Sequence, residues 1–458
     1  MSISNEESRW LAGIARRRIT PPPGVELAGL GYYLNRTWDG VHDDLNATAV
    51  VISDEDGRSV AIAALDLLYM DSKYVEAIRN GIKKRTGLTR EAVCINCSHS
   101  HNAPTMSFFD GAGEINDDYA SFVVQATVEA VEEAWSRRVW ASIRVGTCHL
   151  ANMTYNRTRK NGPVDDLVGV LRIDARGGTP LAVVVNFHAH PTVFWQVDFR
   201  AVSRDVPGQV VDLIEKDLPG AIGMYLQGSL GDVNFNLEYW TQERFMEAGE
   251  AVFNSAKIAW SGSRKVAHSG INSVISEVRL PARRWTRDEV MEMYEEGKRR
   301  LSTGDTSGWL EGIARHMVGI PERLPERYGG SVEKAVEAVS RFAVQWGEDA
   351  LKTLDSAPET RVAEIQAIRV GDVWFITNPA ELFSSIALET RRKWPNEGLF
   401  ILGNSNGFVS YLPDAEEVDR GSYASLQVPK AIRALPFTRD AGPVLVRESL
   451  KALTAAAL

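Results

Sequence analysis

The sequence predicts an α/β protein with mixed β-sheets flanked by helices and a helical insertion near residues 282–355. Two observations predict this class. First, short runs rich in Val, Ile and Ala end abruptly in polar or glycine-containing sequence, at Asp66, His101, His190, Asp232, Glu381 and Gly407. Second, helical patterns with apolar residues three and four apart lie between these runs, as in residues 71–87 and 118–138. Buried strands that alternate with such helices form α/β folds, which bind ligands beyond the carboxyl ends of their strands.

The segment 282–355 is rich in charged residues and has a helical pattern throughout. Thr286 and Glu289 form a capping-box sequence near its start, which indicates a helix N-terminus. We expect this segment to be a solvated helical layer that carries no chemistry. Because no internal repeat or low-complexity segment divides the chain, we expect one catalytic domain over residues 1–458 that includes the insertion.

Charge and composition argue against several classes of partner. Acidic residues outnumber basic residues by 60 to 51, so the net charge is −9 and no positive field attracts nucleic acid. No stretch approaches the roughly 18 apolar residues that span a bilayer, so stable membrane association is not expected. The first 24 residues place acidic side chains before arginines, the reverse of a secretory signal. We expect a cytoplasmic protein with a small-molecule substrate. The sequence leaves open whether the protein forms a homo-oligomer.

The cysteines are few and odd in number: Cys94, Cys97 and Cys148. Such a set fits reduced thiols better than a disulfide framework. Cys94 and Cys97 form a C-x-x-C, but they lie in an apolar run, so we expect buried strand thiols rather than a redox or metal pair.

Two short His-x-His stretches contain half of the eight histidines of the chain. Residues two apart in an extended strand face the same side, so His99 and His101 can point into one site, and so can His188 and His190. Catalytic zinc sites commonly use three ligands drawn from His, Asp and Glu and keep one position open for water. The alternative is that one histidine of each pair is hydrogen-bonded in the core.

Two further strand ends carry candidate groups. The sequence "QGSLGDVNFN" places Asp232 in a glycine-flanked turn, which brings a carboxylate and backbone amides close to a ligand. Ser229 in this stretch does not lie in a G-x-S-x-G elbow, so a serine nucleophile is not favoured. Glu381 follows "VWFITNPA" and is either a ligand or general base, or a surface carboxylate at a helix start.

Together these motifs resemble the neutral/alkaline non-lysosomal ceramidase family, over its N-terminal catalytic domain. The resemblance begins at "ARRRITPPPGVELAGLGY" and continues through "GVHDDLNATAVVI" and "ALDLLYM". It includes "CSHSHNAP", which is similar to the family's T-H-T-H-S-G-P zinc segment, and "FHAHPT". It extends to "YNRTR", to "NPAELF" and to two tyrosines twelve residues apart in "YLPDAEEVDRGSY". Each motif alone is weak evidence for the family, but their order and spacing together are specific to it.

The resemblance implies a set of site residues. The implied zinc ligands are His99, His190, Glu381 and Tyr411. His101 would face the substrate, and Tyr423 is the second of the family's paired tyrosines. Arg157, in the segment "YNRTR", matches an arginine that is implied to bind substrate.

This sequence departs from the family pattern at one reacting position. The family's G-D-V-S-P-N is "GDVNFN" here, with Asn234 in place of a serine that has been proposed as a nucleophile and otherwise as a hydrogen-bonding group. An asparagine cannot form an acyl-enzyme as a serine would. We also expect the C-terminal immunoglobulin-like domain of the ceramidases to be absent. These departures bear on the substrate more than on the metal.

We predict a zinc-dependent hydrolase that uses metal-activated water on the amide bond of a small N-acyl substrate. The predicted catalytic residues, which would steady the scissile carbonyl, are His101, Asn234 and Tyr423. The predicted substrate-binding residues are Arg157, Phe194 and Trp195. Phe108 and Phe109 are further candidates, either for the pocket or for the core. The alternatives are a metal-dependent hydrolase of a lactone, ester or sugar derivative, and a non-catalytic zinc-binding relative.

Overall fold

The computed structural model describes residues 10–267, 270–315 and 321–458. Residues 1–9, 268–269 and 316–320 lie outside this description, and with them part of the N-terminal segment and part of the expected helical insertion. Mixed β-sheets flanked by helices form the described protein, which confirms the predicted fold class.

The strands of the described residues follow in chain order. They are β1 (Trp10–Arg18), β2 (Gly40–Val41), β3 (Asn46–Ser53), β4 (Ser59–Leu65), β5 (Val93–Cys97), β6 (Val139–His149), β7 (Thr154–Asn156), β8 (Leu167–Ala175), β9 (Pro180–Phe187), β10 (Ala201–Val202), β11 (Ile222–Gln227), β12 (Val233–Phe235), β13 (Arg264–Lys265), β14 (Ile271–Pro281), β15 (Thr360–Val370), β16 (Val373–Thr377), β17 (Glu381–Leu382), β18 (Leu399–Leu402) and β19 (Tyr411–Leu412).

The α-helices of the same residues are α1 (Ser72–Thr86), α2 (Asp117–Ser136), α3 (Asp205–Asp217), α4 (Phe245–Ser261), α5 (Arg287–Thr303), α6 (Val332–Thr353), α7 (Ser384–Lys393), α8 (Ala415–Arg420), α9 (Val428–Ala431) and α10 (Ala441–Ala457). Short 3₁₀ helices span Arg90–Ala92, Phe194–Gln196, Leu237–Tyr239 and Pro321–Tyr328, and a π-helical turn spans Tyr423–Gln427.

The larger sheet runs in the order β11, β9, β8, β6, β1, β3, β4 and β5, with β13 paired to β6. The outer pairs β11–β9 and β4–β5 are parallel, and the pairs between them are antiparallel. Every residue of β5 is buried, as are all but the first residues of β3 and β4. These strands are continuous apolar runs because both of their faces are covered.

The smaller sheet, β14-β15-β16-β18, packs on the larger one. Phe375 of β16 and Phe400 of β18 belong to the same buried cluster as Ile62 of β4. Helix α2 covers β1 and β3, α3 and α4 cover β11 and β8, and α10 covers β14 and β15. Helices therefore flank two sheets that share a core.

The carboxyl ends of strands from both sheets meet at the buried side chain of Asn96 in β5. Its Nδ2 donates to the carbonyls of Gln227, at the end of β11, and of Gly403, just after β18. Its Oδ1 accepts from the backbone N–H of Gln227 at 2.8 Å. One fully satisfied amide thus holds three strand ends together beside the loops that carry the histidines.

The charged segment after β14 forms α5, the 3₁₀ helix Pro321–Tyr328 and α6. Helix α5 begins at the predicted capping box, since Thr286 accepts from the Glu289 N–H while the Glu289 carboxylate accepts from the Thr286 N–H. Phe342 and Trp346 of α6 are fully buried, so only the outer face of this segment is solvated.

Two of the sequence-based expectations concern simple features of the fold. Cys94 and Cys97 are buried in β5 as free thiols, as the apolar run predicts. No helix in the described ranges is both long and apolar enough to cross a membrane.

Candidate metal and active site

His99 lies in the loop after β5, two residues beyond the strand end at Cys97. Its backbone has a left-handed φ of 69°, so the expectation that it belongs to an extended strand is wrong. Its N–H donates to the Leu67 carbonyl at 2.9 Å, and its Nδ1 lies 3.2 Å from the Leu68 carbonyl. A hydrogen on Nδ1 is satisfied by that carbonyl, which leaves the Nε2 lone pair facing the site.

His190 is held in the same manner by different carbonyls. Its N–H donates to Val233 at 2.9 Å, and its Nδ1 lies 2.6 Å from the Leu230 carbonyl. Burial, followed by the positive charge of Arg157, lowers the pKa of His190 to about 3. The imidazole is therefore neutral, the form that binds metal ions.

Both Nε2 atoms converge on one carboxylate. Oε2 of the fully buried Glu381 lies 2.9 Å from Nε2 of His190 and 3.4 Å from Nε2 of His99. Burial raises the pKa of this carboxyl, but the neighbouring His99 and His190 outweigh it and hold the pKa well below the usual value. Glu381 is thus a buried carboxylate and not a surface group.

His101 completes a cluster of three histidines. Its Nε2 lies 3.2 Å from Nε2 of His99, and one ligand atom from each of His99, His101 and His190 lies within 4.8 Å of the others. Its Nδ1 is buried without a hydrogen-bond partner. A Cβ added to Gly29 would lie 2.6 Å from that nitrogen, so only glycine, here at φ 89°, lets the ring sit where it does.

Arg157 and Tyr411 lie on the other side of His190. The Tyr411 hydroxyl is 3.3 Å from Nε2 of His190, and β19 brings it there by pairing in parallel with β17, opposite Glu381. Nη2 of Arg157 lies 3.2 Å from the same nitrogen and donates to the Tyr411 hydroxyl at 2.7 Å. The structure thus brings Tyr411 and Arg157 together with the two histidines and Glu381.

Tyr423 and Asn234 border this group. The rings of Tyr423 and Tyr411 meet edge to face at 5.7 Å, and burial, then the charge of Glu381, raise the pKa of Tyr423 to about 12. Asn234 of β12 forms a backbone bridge with His190. Its Oδ1 is buried without a partner, and its side chain makes no hydrogen bond to any residue that the structure describes. This amide is available to a ligand.

Two of the aromatic candidates are buried core residues, and the other two are partly exposed. Phe194 is buried against His42, at 4.5 Å between ring centroids, and Phe245, which are the contacts of a core residue. Phe109 is also buried and contacts Tyr69 edge to face, whereas Phe108 is about half exposed. Trp195 is half-buried, and the guanidinium of Arg327 lies 5.1 Å above its ring.

His188 points away from the histidine cluster. Its Nε2 lies 3.6 Å from Asp165 and 3.1 Å from Arg391, and its Nδ1 lies 3.1 Å from Ser229. The expectation that both members of the second pair can face one ion is wrong, because β9 ends at Phe187 and the chain turns between the two histidines. Ser229 is fully buried and lies against His188, away from the histidine cluster. Asp232 is likewise bound within the protein, to Ser384 and Asn156.

One site residue was not predicted from the sequence. Tyr69 is buried, stacks on Phe408 at 3.7 Å and donates its hydroxyl hydrogen to Oε1 of Glu381. The available signal was a hydroxyl directly after a strand end, in "ALDLLYM". The two oxygens of Glu381 are therefore engaged from opposite sides.

The donor set fits a metal ion. When both Nδ1 atoms donate to carbonyls, the Nε2 atoms of His99 and His190 and Oε2 of Glu381 are all acceptors, which repel one another unless a cation lies between them. Ligands bound tetrahedrally at about 2.0 to 2.1 Å lie about 3.3 Å apart, close to the 2.9 and 3.4 Å separations here. This cluster can hold a metal ion.

A cavity of about 580 Å³ lies elsewhere, between α5 and Lys430, and its lining includes five glutamates. None of the three clustered histidines lines it. The histidine site is therefore identified by its donor chemistry and not by this cavity.

Comparison with known proteins identifies a curated relative and solved structures of similar fold. No family model matches the chain. A neutral ceramidase of Drosophila pseudoobscura pseudoobscura is 24% identical over 257 residues, which are 50% of this chain and 36% of that protein. The match thus spans about a third of the length of the curated relative.

Two solved structures share the fold. The neutral ceramidase from Pseudomonas aeruginosa superposes with a TM-score of 0.73 and 18% identity, covering 98% of this chain and 75% of that one. A ceramidase complexed with C2 gives a TM-score of 0.72 and 17% identity with the same coverage. Sequence and fold together confirm the predicted resemblance of this chain to the neutral ceramidases.

Proposed function

We propose that the protein is a zinc-dependent hydrolase that cleaves the amide bond of a small N-acyl substrate. The observation that carries this proposal is the convergence of the Nε2 atoms of His99 and His190 on Oε2 of Glu381. The relatives support the type of bond, since a ceramidase cleaves an amide.

In this proposal His99, His190 and Glu381 hold the ion, and the Tyr411 hydroxyl is the fourth protein group beside it. When bound there, zinc would supply Lewis-acid chemistry, which would lower the pKa of a water towards about 7 and make a nucleophile available at neutral pH. The carbonyls of Leu68 and Leu230 fix the orientation and tautomer of the two imidazoles.

Three other side chains act on the scissile carbonyl. With a pKa near 12, Tyr423 keeps its hydrogen at neutral pH and can donate it to an oxygen that gains negative charge. The Asn234 amide makes no side-chain hydrogen bond to a described residue, and Nε2 of His101 is the ring nitrogen beside the proposed ion, 3.2 Å from Nε2 of His99. These donors replace the family serine in binding without taking part as a nucleophile.

Arg157 positions the substrate in this proposal. Its Nη2 is engaged by the Gly231 carbonyl and by Tyr411, while its buried Nε has no partner. A polar substrate group can accept from that nitrogen at a fixed place beside the reacting atoms.

The test is a substrate screen on protein of known metal content. Protein purified without chelator is analysed for metal and assayed on N-acyl amines, esters and lactones, before and after chelation and after zinc is restored. We expect one zinc per chain and amide hydrolysis that falls with chelation and returns with zinc. A folded, metal-free preparation with full activity would overturn the proposal, and turnover of lactones or esters alone would reassign the substrate.

We further propose that the substrate reaches the site from water and not from a bilayer. Sedimentation with anionic or sphingolipid vesicles tests this point. Strong binding of the protein to either vesicle would favour a lipid substrate instead.

A further inference from the structure

Two guanidinium groups near the histidine cluster form no ion pair with an acidic residue that the structure describes. Arg327, in the 3₁₀ helix Pro321–Tyr328, makes no hydrogen bond or ion pair to a residue in the described ranges; its contact is the ring of Trp195 at 5.1 Å. Arg327 is partly buried, and this burial lowers the pKa of its guanidinium.

Arg36 is the second such group, and it is 2% exposed. It donates from Nε to the Phe199 carbonyl at 2.8 Å and from Nη1 to the His101 carbonyl at 2.6 Å, but its buried Nη2 has no partner. Burial, and next the charge of Arg327, lower the pKa of Arg36 to about 9. The two cations are close enough to repel each other, and one of them is a hydrogen bond away from His101.

The loop between Gly29 and Tyr33 connects these groups to the active site. Gly29 lies against the ring of His101, while a Cβ on Gly31 would lie 3.8 Å from Cδ of Arg327. The Tyr328 hydroxyl accepts from the Tyr32 N–H at 3.1 Å and donates to the Tyr32 carbonyl at 2.6 Å. The helix that carries Arg327 is therefore fixed to the loop that supports His101.

The nearby carboxylates form no ion pair with Arg36 or Arg327 among the described residues, although the charge of Asp198 opposes the lowering of the Arg36 pKa by burial. Asp198 accepts from the backbone N–H groups of Arg200 and Ala201, and Asp110 accepts from Tyr33 and is paired with Arg433. Glu381 belongs to the histidine cluster. Buried cations that lack a counter-charge are costly, and a charge-assisted hydrogen bond to an anion offsets that cost.

We propose that Arg327, lying over Trp195 and assisted by Arg36, binds an anionic group of the substrate, so that the protein acts on N-acyl compounds that carry a carboxylate or phosphate. This inference rests on the proposed function for the reaction itself. It assigns specificity to the segment between α5 and α6, which the sequence pattern predicts to be without chemistry.

The test uses ligands that cannot be hydrolysed, so binding is measured apart from turnover. Three ketone analogues, in which a methylene replaces the amide nitrogen, are titrated calorimetrically: 4-oxododecanoate, its phosphonate counterpart and 4-oxododecanamide. We expect at least one anionic analogue to bind about 10- to 100-fold more tightly than the amide, since charge-assisted hydrogen bonds are the stronger ones. The ratio of carboxylate to phosphonate affinity identifies the anion.

The variants are Arg327→Gln, Arg327→Lys and the matched control Arg323→Gln. Arg323 lies in the same 3₁₀ helix but pairs with Glu326 at the surface. Arg327→Gln should abolish the preference for an anion, Arg327→Lys should keep most of it, and Arg323→Gln should leave it unchanged. Equal binding of all three analogues by the parent, or an undiminished preference in folded Arg327→Gln, would overturn the inference. Absence of amide hydrolysis alongside a clear anion preference would instead count against the proposed reaction.

Discussion

The hydroxyl of Tyr69 donates to Oε1 of Glu381 while Oε2 of the same carboxylate faces Nε2 of His190. Tyr69 is itself held by stacking on Phe408. The carboxylate is therefore held at Oε1 before any ion binds, while Oε2 stays directed at the histidines. Groups that orient metal ligands in this manner strengthen metal binding, and their removal commonly lowers the affinity for the metal by about 10- to 100-fold.

We predict that Tyr69→Phe keeps the fold and weakens zinc binding by about 10- to 100-fold, because Glu381 loses the hydrogen bond that orients it. Competition with a chromogenic chelator measures the affinity. Tyr74→Phe is the control, since the Tyr74 hydroxyl makes no hydrogen bond to a residue in the described part of the chain and its ring lies under Lys73. Equal zinc affinity in the two variants would show that the Tyr69 hydroxyl does not orient the ligand.

We predict that His190→Ala loses zinc even where the fold persists, since removal of one of three or four ligands opens the site. Metal analysis after gel filtration gives the zinc content, and circular dichroism reports the fold. His149→Ala is a matched histidine control, because His149 is exposed and pairs with Asp166 away from the cluster. Zinc retained at one per chain in His190→Ala would remove His190 from the ligand set.

We predict that Asn234→Ala lowers turnover of an N-acyl amine by about 10²- to 10³-fold with zinc still bound, as expected for the loss of one donor to the developing oxyanion. Asn234→Ser should retain part of the activity, because a hydroxyl can also donate. The three proteins are assayed side by side at equal zinc content. Activity that appears only in the serine variant would contradict the metal-water mechanism.

We predict that Lys430→Met stabilises the protein at pH 7 by about 1 to 3 kcal/mol. Burial lowers the pKa of Lys430 to about 8, and its ammonium lies 4.7 Å from the Trp346 ring and 3.3 Å from Sδ of Met293. Between pH 10.5 and 8 the unfolded chain binds more protons than the folded one, so stability falls as the pH falls through that range. The variant should lose this slope.

Chemical denaturation at pH 7 and pH 10 measures the effect, with Lys451→Met as an exposed control in α10. A parent protein whose stability does not change between these pH values would contradict the buried charge at Lys430.

The strand ends were predictable because a buried strand needs a continuous apolar run and its end needs polar groups. The breaks at Asp66, Asp232 and Glu381 all follow strands of the structure by one to five residues in the chain. The capping box of α5 was predictable for a similar reason, since both of its hydrogen bonds are local. Interactions between residues that are close in the chain are therefore the ones that a single sequence predicts best.

The convergence of side chains was harder to predict. His99 and His101 do face one site, but through a left-handed turn at His99 and not through strand alternation. His188 has the same local sequence pattern and points elsewhere, because Asp165 and Arg391, distant in the chain, bind it. Tyr69 and Arg327 gain their roles through contacts with Glu381 and Trp195, which are 312 and 132 positions away, and no local pattern records such contacts.

His190 and Glu381 are 191 residues apart, and Arg157 and Tyr411 are 254 apart. Contacts between such distant positions are the slowest to form, since long loops must close before the contact is made. Zinc fingers differ, because their closely spaced ligands let the ion nucleate folding. In this protein an ion at the proposed site could be captured only once both sheets have assembled, so metal uptake during refolding should report the last stage of chain assembly rather than start it.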